Sequence, residues 1–67
     1  MTSRDIFRRI ETMAQDRGMS RAMLCNRLNV SQATWSNYRK SPGKMKLETI
    51  ERACQIFMVT MHELTRT

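Results

Sequence analysis

The chain has 67 residues, among them seven methionines, two glycines and one proline, and its formal net charge at pH 7 is +6. This length accommodates one domain, 1–67, with a small core, and the composition favours helices. No run of about 20 apolar residues occurs, which excludes a transmembrane helix. The polar, charged N-terminus does not fit a signal peptide, so we expect a cytoplasmic protein.

Helical spacing of apolar residues predicts a first helix from about Ser3 to Arg17. Thr2 or Ser3 is positioned to cap its N-terminus, and Gly18 is suited to end it in a left-handed conformation. The apolar face of this helix comprises Ile6, Ile10, Met13 and Ala14, with Phe7 beside them. We expect this helix to serve packing.

Two short helices joined by a tight turn are predicted next. Ser20 caps the first, over 21–28, and Ser31 caps the second, over 32–40. Asn29, between them, tolerates left-handed backbone and therefore suits a sharp turn. The side chains expected to face the core are Leu24, Cys25, Leu28, Val30, Trp35 and Tyr38. The outward side of the second helix is small and polar and comprises Gln32, Ala33, Ser36 and Asn37.

The rest of the chain predicts a turn, a basic loop and two more helices. Ser41-Pro42-Gly43 is a turn signal, and Lys44-Met45-Lys46 continues as the loop. The apolar face of the fourth helix comprises Leu47, Ile50, Ala53, Cys54 and Phe57. Thr60 and Glu63 have the spacing of a capping box, which opens a short last helix with Met61 and Leu64 inside.

The positive charge is concentrated in the middle of the chain. Seven basic residues and no acidic ones lie between Asp16 and Glu48, whereas the flanking segments are close to neutral. Concentrated positive charge attracts polyanions, so this window favours a nucleic-acid partner. Two alternatives are a solvated basic face without a partner and an anionic membrane surface. The turns and the lack of a long amphipathic helix in the window make the membrane the weaker of the two.

Residues for metal binding or catalysis are scarce in the sequence. Cys25 and Cys54 lie on predicted apolar faces, where we expect reduced, buried thiols. His62 is the only histidine and no CxxC or HxxxH spacing occurs, so we expect neither a metal nor another cofactor. Paired carboxylates, a Ser–His arrangement and a glycine-rich phosphate loop are also lacking, so we do not expect an enzyme.

From about Ile6 to Leu64, the chain resembles the Cro/lambda-repressor-like family of helix-turn-helix domains. Val30-Ser31-Gln32-Ala33-Thr34 is similar to that family's V-S-x-x-T entry to its recognition helix, and the segment from Cys54 to Leu64 to its closing A-x-x-L-G-V-S-x-x-x-L. Six positions depart from the usual residue: Arg21 for Gln, Cys25 for Ala, Asn29 for Gly, Trp35 for Val or Ile, Met58 for Gly and Thr60 for Ser.

The resemblance implies an all-α, compact five-helix fold in which the third helix, about 32–40, enters the DNA major groove. It implies base contacts by Gln32, Ala33 and Asn37, joined by Thr34 and Ser36, which could touch either a base or a phosphate. It implies phosphate contacts by Arg21, Ser31, Arg39, Lys40, Lys44 and Lys46, of which Arg39 could also reach a base. A homodimer is implied as well, for which we expect Ile56, Met58 and Met61 as the interface.

The leading interpretation is a sequence-specific, double-stranded-DNA-binding transcriptional regulator. We expect a Cro-type repressor of phage or mobile-element origin that acts by occupying its operator. No small-molecule ligand is expected, because little chain follows Leu64 to form a pocket. Two alternatives remain open: a controller protein of a restriction–modification system, and a protein-interaction module such as an antitoxin or adaptor that reuses the fold.

Overall fold

The computed structural model describes residues 2–65, which form five α-helices and one turn of 3-10 helix and contain no strand. The helices are α1 (Ser3–Asp16), α2 (Arg21–Leu28), α3 (Gln32–Lys40), α4 (Leu47–Phe57) and α5 (Met61–Thr65), with the 3-10 helix at Pro42–Lys44. The all-α, five-helix fold predicted from the sequence is confirmed. The predicted bounds of α2 and α3 match the structure, and α1 ends one residue earlier than expected.

Side-chain caps begin four of the helices. Those of α2, α3 and α5 were predicted, and of the two candidates for α1, Thr2 or Ser3, Thr2 is the cap. Ser20 Oγ accepts from the Met23 amide at 3.2 Å, and Ser31 Oγ accepts from the Thr34 amide at 3.0 Å. Reciprocal capping boxes start α1 and α5, formed by Thr2 with Asp5 and by Thr60 with Glu63. These bonds satisfy amides that the first helical turn leaves unpaired, which is why the helices start at these residues.

Three helices end in the same way, with a left-handed residue followed by a half-buried apolar one. Gly18, Asn29 and Met58 have φ values of 69°, 61° and 55°. At the end of α2, the Val30 amide donates to the Cys25 carbonyl at 3.0 Å and the Asn29 amide to the Asn26 carbonyl at 3.2 Å. This is the Schellman pattern, and α1 and α4 repeat it. The chain therefore reverses sharply between consecutive helices.

The core lies where α1, α3 and α4 meet the shorter helices. α1 contacts α3, α5 and the 3-10 helix, while α4 contacts α2 and α5. The largest fully buried side chains are Trp35, Phe57, Ile10, Leu28, Leu64 and Cys25. Within residues 2–65, no helix is both long and apolar enough to cross a membrane.

Two details of the predicted apolar faces were wrong. Phe7 is buried at the centre of the α1 face, whereas Ile6 and Met13 lie half-buried at its sides. On α4, Leu47 was expected inside but is 64% exposed, while Thr49 is 5% exposed. Leu47 is the first residue of α4 and lies about a quarter-turn from the line through Ala53 and Phe57. The row of α4 side chains that faces the core therefore does not include Leu47.

Candidate nucleic-acid interface

The α2–turn–α3 segment is positioned by its turn and by one buried face. Asn29 in the left-handed region (φ 61°, ψ 41°) ends α2, and the cap at Ser31 starts α3 two residues later. Leu24, Cys25 and Leu28 bury the inner face of α2, and Val30 packs against the core beneath the turn. The turn and these buried side chains thus hold α2 and α3 in contact with each other.

Trp35 fixes the orientation of α3. Its ring is fully buried and stacks on Phe7 of α1, with ring centres 4.4 Å apart and an interplanar angle of 27°. Tyr38 meets it edge-on at 6.1 Å, and the indole Nε1 donates to Glu11 Oε2 at 3.3 Å. The expected core role of both aromatic residues is confirmed, so neither ring is available to stack on a base.

The opposite side of α3 is exposed and carries no acidic residue. With about 100° between successive residues of a helix, Ala33 and Lys40 lie opposite the two buried rings. Asn37 flanks this line on one side, and Gln32 and Ser36 flank it on the other. Ser36 is half-buried, whereas the remaining members of this face are exposed. Four of the five predicted base-contacting residues, Gln32, Ala33, Ser36 and Asn37, therefore share one outward face.

Thr34, the fifth predicted base contact, lies apart from the others. It is half-buried at the edge of α3, and its hydroxyl accepts from Ser31 Oγ at 2.8 Å. Ser31 is exposed, but its hydroxyl also accepts from the Thr34 amide. The side chains of both residues are therefore engaged in capping α3.

Most of the predicted phosphate contacts are available cations. Arg21 is exposed at the first position of α2, Lys40 in the last turn of α3, and Lys44 and Lys46 around the loop before α4. Across residues 2–65, none of these four side chains forms a hydrogen bond or ion pair, and the same holds for the exposed Arg27. The start of α2 adds backbone amides that favour an anion.

Two other arginines of the basic window are engaged within the protein. Arg39 Nη2 lies 2.6 Å from Glu11 Oε2, in an ion pair between α3 and α1. Arg17 Nη2 donates to the Phe57 carbonyl at 3.0 Å, and its guanidinium lies 5.1 Å from the centre of the Phe57 ring. Arg17 thus closes the C-terminal end of α4, where cations are favoured.

Glu11 was not identified from the sequence, although it joins α1 to two residues of α3. One signal was present: Glu11 follows Phe7 by four residues, so a helix places this carboxylate on the same side as buried Phe7. A charged group beside an apolar face needs a partner. The sequence does not indicate that Arg39 and the Trp35 indole supply it.

The predicted dimer residues have different surroundings. Met58 is 90% exposed, whereas Ile56 and Met61 are half-buried and pack against the core. Part of the apolar surface expected for a partner is therefore used inside the domain.

The two cysteines are buried and free, in keeping with the sequence-based expectation. Burial raises the pKa of both the Cys25 and the Cys54 thiols, so both are held in the protonated form. Within the part of the chain that the structure describes, no group of three His, Cys, Asp or Glu side chains is arranged to hold a metal ion.

These features define a helix-turn-helix protein whose third helix, α3, exposes a small polar face flanked by cations. The chain belongs to the family of the Cro/C1-type HTH DNA-binding domain, whose profile matches residues 9–67. Comparisons with curated proteins and with solved structures give no significant match. The resemblance drawn from the sequence is confirmed. The domain therefore binds DNA, and its family is not an enzyme family.

Proposed function

We propose that this protein is a sequence-specific transcriptional repressor of Cro type that acts in the cytoplasm by occupying an operator as a homodimer. The observation that carries the proposal is the outward face of α3. That face is exposed, free of acidic residues and anchored from behind by a fully buried Trp35. Occupancy alone would exclude polymerase, so the mechanism requires no ligand.

In this proposal, the outward face of α3 reads base edges in the major groove. The amides of Gln32 and Asn37 can pair with adenine through two hydrogen bonds, and the Ala33 methyl can contact the methyl of thymine. Ser36 reaches the groove from the edge of the same face. Thr34 would support these contacts through the α3 cap, because its hydroxyl already bonds to Ser31.

The surrounding cations fix the position of the protein on the duplex. Arg21 and the start of α2 would hold one phosphate, and Lys40, Lys44 and Lys46 would hold others along the backbone. A two-fold dimer would present two α3 helices to half-sites about 34 Å apart. Met58, the most exposed large apolar residue within residues 2–65, supports a partner surface at the end of α4.

The decisive experiment is selection of bound sites from a pool of random duplex DNA. A palindromic consensus with half-sites about one helical turn apart is the expected result. Absence of enrichment would contradict sequence-specific repression and would favour the protein-interaction alternative.

Substitution on α3 tests which residues read the sequence. Gln32→Ala and Asn37→Ala should each weaken binding to the selected site by about 1–3 kcal/mol, and should weaken binding to random DNA much less. Gln55→Ala is the matched control, because Gln55 is exposed on α4 and away from this face. Equal losses on both DNAs would show that Gln32 and Asn37 do not discriminate bases.

A further inference from the structure

Glu11 places a carboxylate at the edge of the recognition helix. Its Oε2 accepts from Arg39 Nη2 at 2.6 Å and from Trp35 Nε1 at 3.3 Å. The Arg39 side chain is 52% exposed and the Glu11 side chain 26% exposed, so solvent reaches the pair. An ion pair this exposed is weak, because water and salt screen it. A competing anion therefore has access to Arg39.

The pair also lies beside a predicted phosphate contact. One open groove is lined by Glu11 and Arg39 together with Ser20 and Arg21, which cap and begin α2. A DNA phosphate held at the start of α2 would face both the carboxylate and the guanidinium. The groove thus places the Glu11 carboxylate, which already accepts from Arg39, next to the position expected for a DNA phosphate, which is a second acceptor.

Carboxylate and phosphate oxygens use the same donors of a guanidinium. Both accept two parallel N–H groups from arginine, so binding to one reduces binding to the other. The Trp35 indole holds Glu11 at the groove, because its N–H donates to Glu11 Oε2, the oxygen that also accepts from Arg39. Trp35 is fully buried and packed against Phe7, so the core fixes the position of this donor.

We infer that Glu11 is a specificity-determining residue that acts through Arg39, by competing with a DNA phosphate for its guanidinium. The inference rests on the proposed function and concerns how the same surface separates operator from random DNA. On an operator, base contacts by α3 hold the groove against the DNA backbone. The Arg39 guanidinium then leaves Glu11 and binds a phosphate. On random DNA nothing holds that geometry, and Arg39 stays with Glu11.

The test is the salt dependence of affinity for two duplexes of equal length: one selected by the protein from a random pool, and one with the same bases scrambled. Each phosphate contact adds about −0.9 to the slope of log affinity against log salt. Glu11→Gln removes the charge and keeps an oxygen for the indole N–H. This variant should steepen the slope on scrambled DNA by about 0.9 and leave the slope on the selected duplex unchanged.

Arg39→Gln provides the matching variant and an alternative if Glu11→Gln does not fold. It should reduce the magnitude of the slope on the selected duplex by about 0.9 and leave the slope on scrambled DNA unchanged. In the double variant, Glu11→Gln should have no further effect on either duplex. Glu51→Gln, an equal charge change on α4 outside this cluster, should alter neither slope.

Two results would overturn the inference while leaving the proposed function intact. One is an unchanged slope on scrambled DNA in Glu11→Gln. The other is a Glu11→Gln substitution that steepens the slope on scrambled DNA equally when Arg39→Gln is also present. That result would indicate a general electrostatic effect of the lost charge. A wild-type protein without salt-dependent DNA binding would instead refute the proposed function, and this inference with it.

Discussion

At the scale of single residues, the left-handed positions show how strongly local backbone preference shapes the domain. Gly18 adopts φ 69° without a Cβ to clash, and Asn29 tolerates φ 61° better than most residues. Met58 has no such advantage at φ 55°. A left-handed L-residue with a larger side chain costs about 1–2 kcal/mol. The fold thus keeps a strained backbone at Met58, although the Met58 side chain contributes little to the core.

Met58→Gly should stabilise the isolated domain. Relief of the left-handed strain exceeds the entropic cost of a glycine, so we expect a gain of about 0.5–1 kcal/mol in the free energy of unfolding. The measurement is thermal unfolding followed by circular dichroism at low protein concentration, where a partner surface at Met58 is not occupied. Asn29→Gly is the matched control and should gain less. A lower melting temperature for Met58→Gly would contradict this account.

Asp5 makes the start of α1 sensitive to acid. Hydrogen bonds from the backbone amide and the hydroxyl of Thr2 hold the pKa of the Asp5 carboxyl below its ordinary value. Because the pKa is lower in the folded state, this contribution is complete above the unfolded-state pKa of about 4 and is lost as pH falls through the folded-state value.

Asp5→Asn should therefore reduce stability near neutral pH and have progressively less effect below about pH 4. Urea unfolding of both proteins at a series of pH values measures the difference. A difference that stays constant between neutral and strongly acidic pH would show that the carboxylate charge plays no part in the cap.

At the scale of secondary-structure elements, one residue on the buried side of α3, Trp35, holds this helix in place. The family's usual aliphatic residue is replaced by Trp35, whose ring is accommodated by stacking on Phe7 and by edge contact with Tyr38. The indole N–H is satisfied by Glu11. The large side chain thus connects α1 to α3 through both apolar and polar contacts.

Trp35→Ala should lower the free energy of unfolding by about 3–5 kcal/mol, because it leaves a large cavity between α1 and α3. A domain of this length is stable by only about 3–10 kcal/mol, so most of the fold would be lost. Urea unfolding followed by far-ultraviolet circular dichroism measures the effect. Gln32→Ala, on the exposed face of the same helix, should change stability by less than about 0.5 kcal/mol. Comparable losses in the two variants would contradict the anchoring role of Trp35.

At the scale of the whole molecule, the fold divides the basic residues into two groups. Of the seven basic residues between Asp16 and Glu48, Arg17 and Arg39 are engaged within the domain, whereas Arg21, Arg27, Lys40, Lys44 and Lys46 have no hydrogen-bond or ion-pair partner within residues 2–65. Net charge alone does not make this distinction. Of the available cations, those positioned to contact phosphate determine how strongly salt weakens DNA binding, because each neutralised phosphate releases counterions.

With four phosphate contacts per protomer, log affinity for random DNA should fall with log salt with a slope of about −3.6 for one protomer and about −7 for a dimer. Lys46→Ala should reduce the magnitude of the protomer slope by about 0.9. Arg27→Ala, an equal loss of charge at the end of α2, should leave it unchanged. Equal effects of the two substitutions would mean that net charge, and not position, governs binding.

The helices, their caps and the outward face of α3 follow from local sequence. Ser20, Ser31 and the Thr60–Glu63 box act within three residues along the chain, so each bond is implied by local spacing. The face of a short helix likewise follows from a fixed angle per residue.

Tertiary structure alone decided which polar groups remain available. Glu11 meets Arg39 across 28 positions and Arg17 meets Phe57 across 40, distances over which spacing predicts nothing. Leu47 is exposed because the core-facing line of α4 passes to one side of it. These outcomes depend on how the helices cross, and crossing is set by the packing of large side chains such as Trp35. The sequence therefore predicts the outward face of α3, and the fold decides which cations flank it and which are held by a carboxylate.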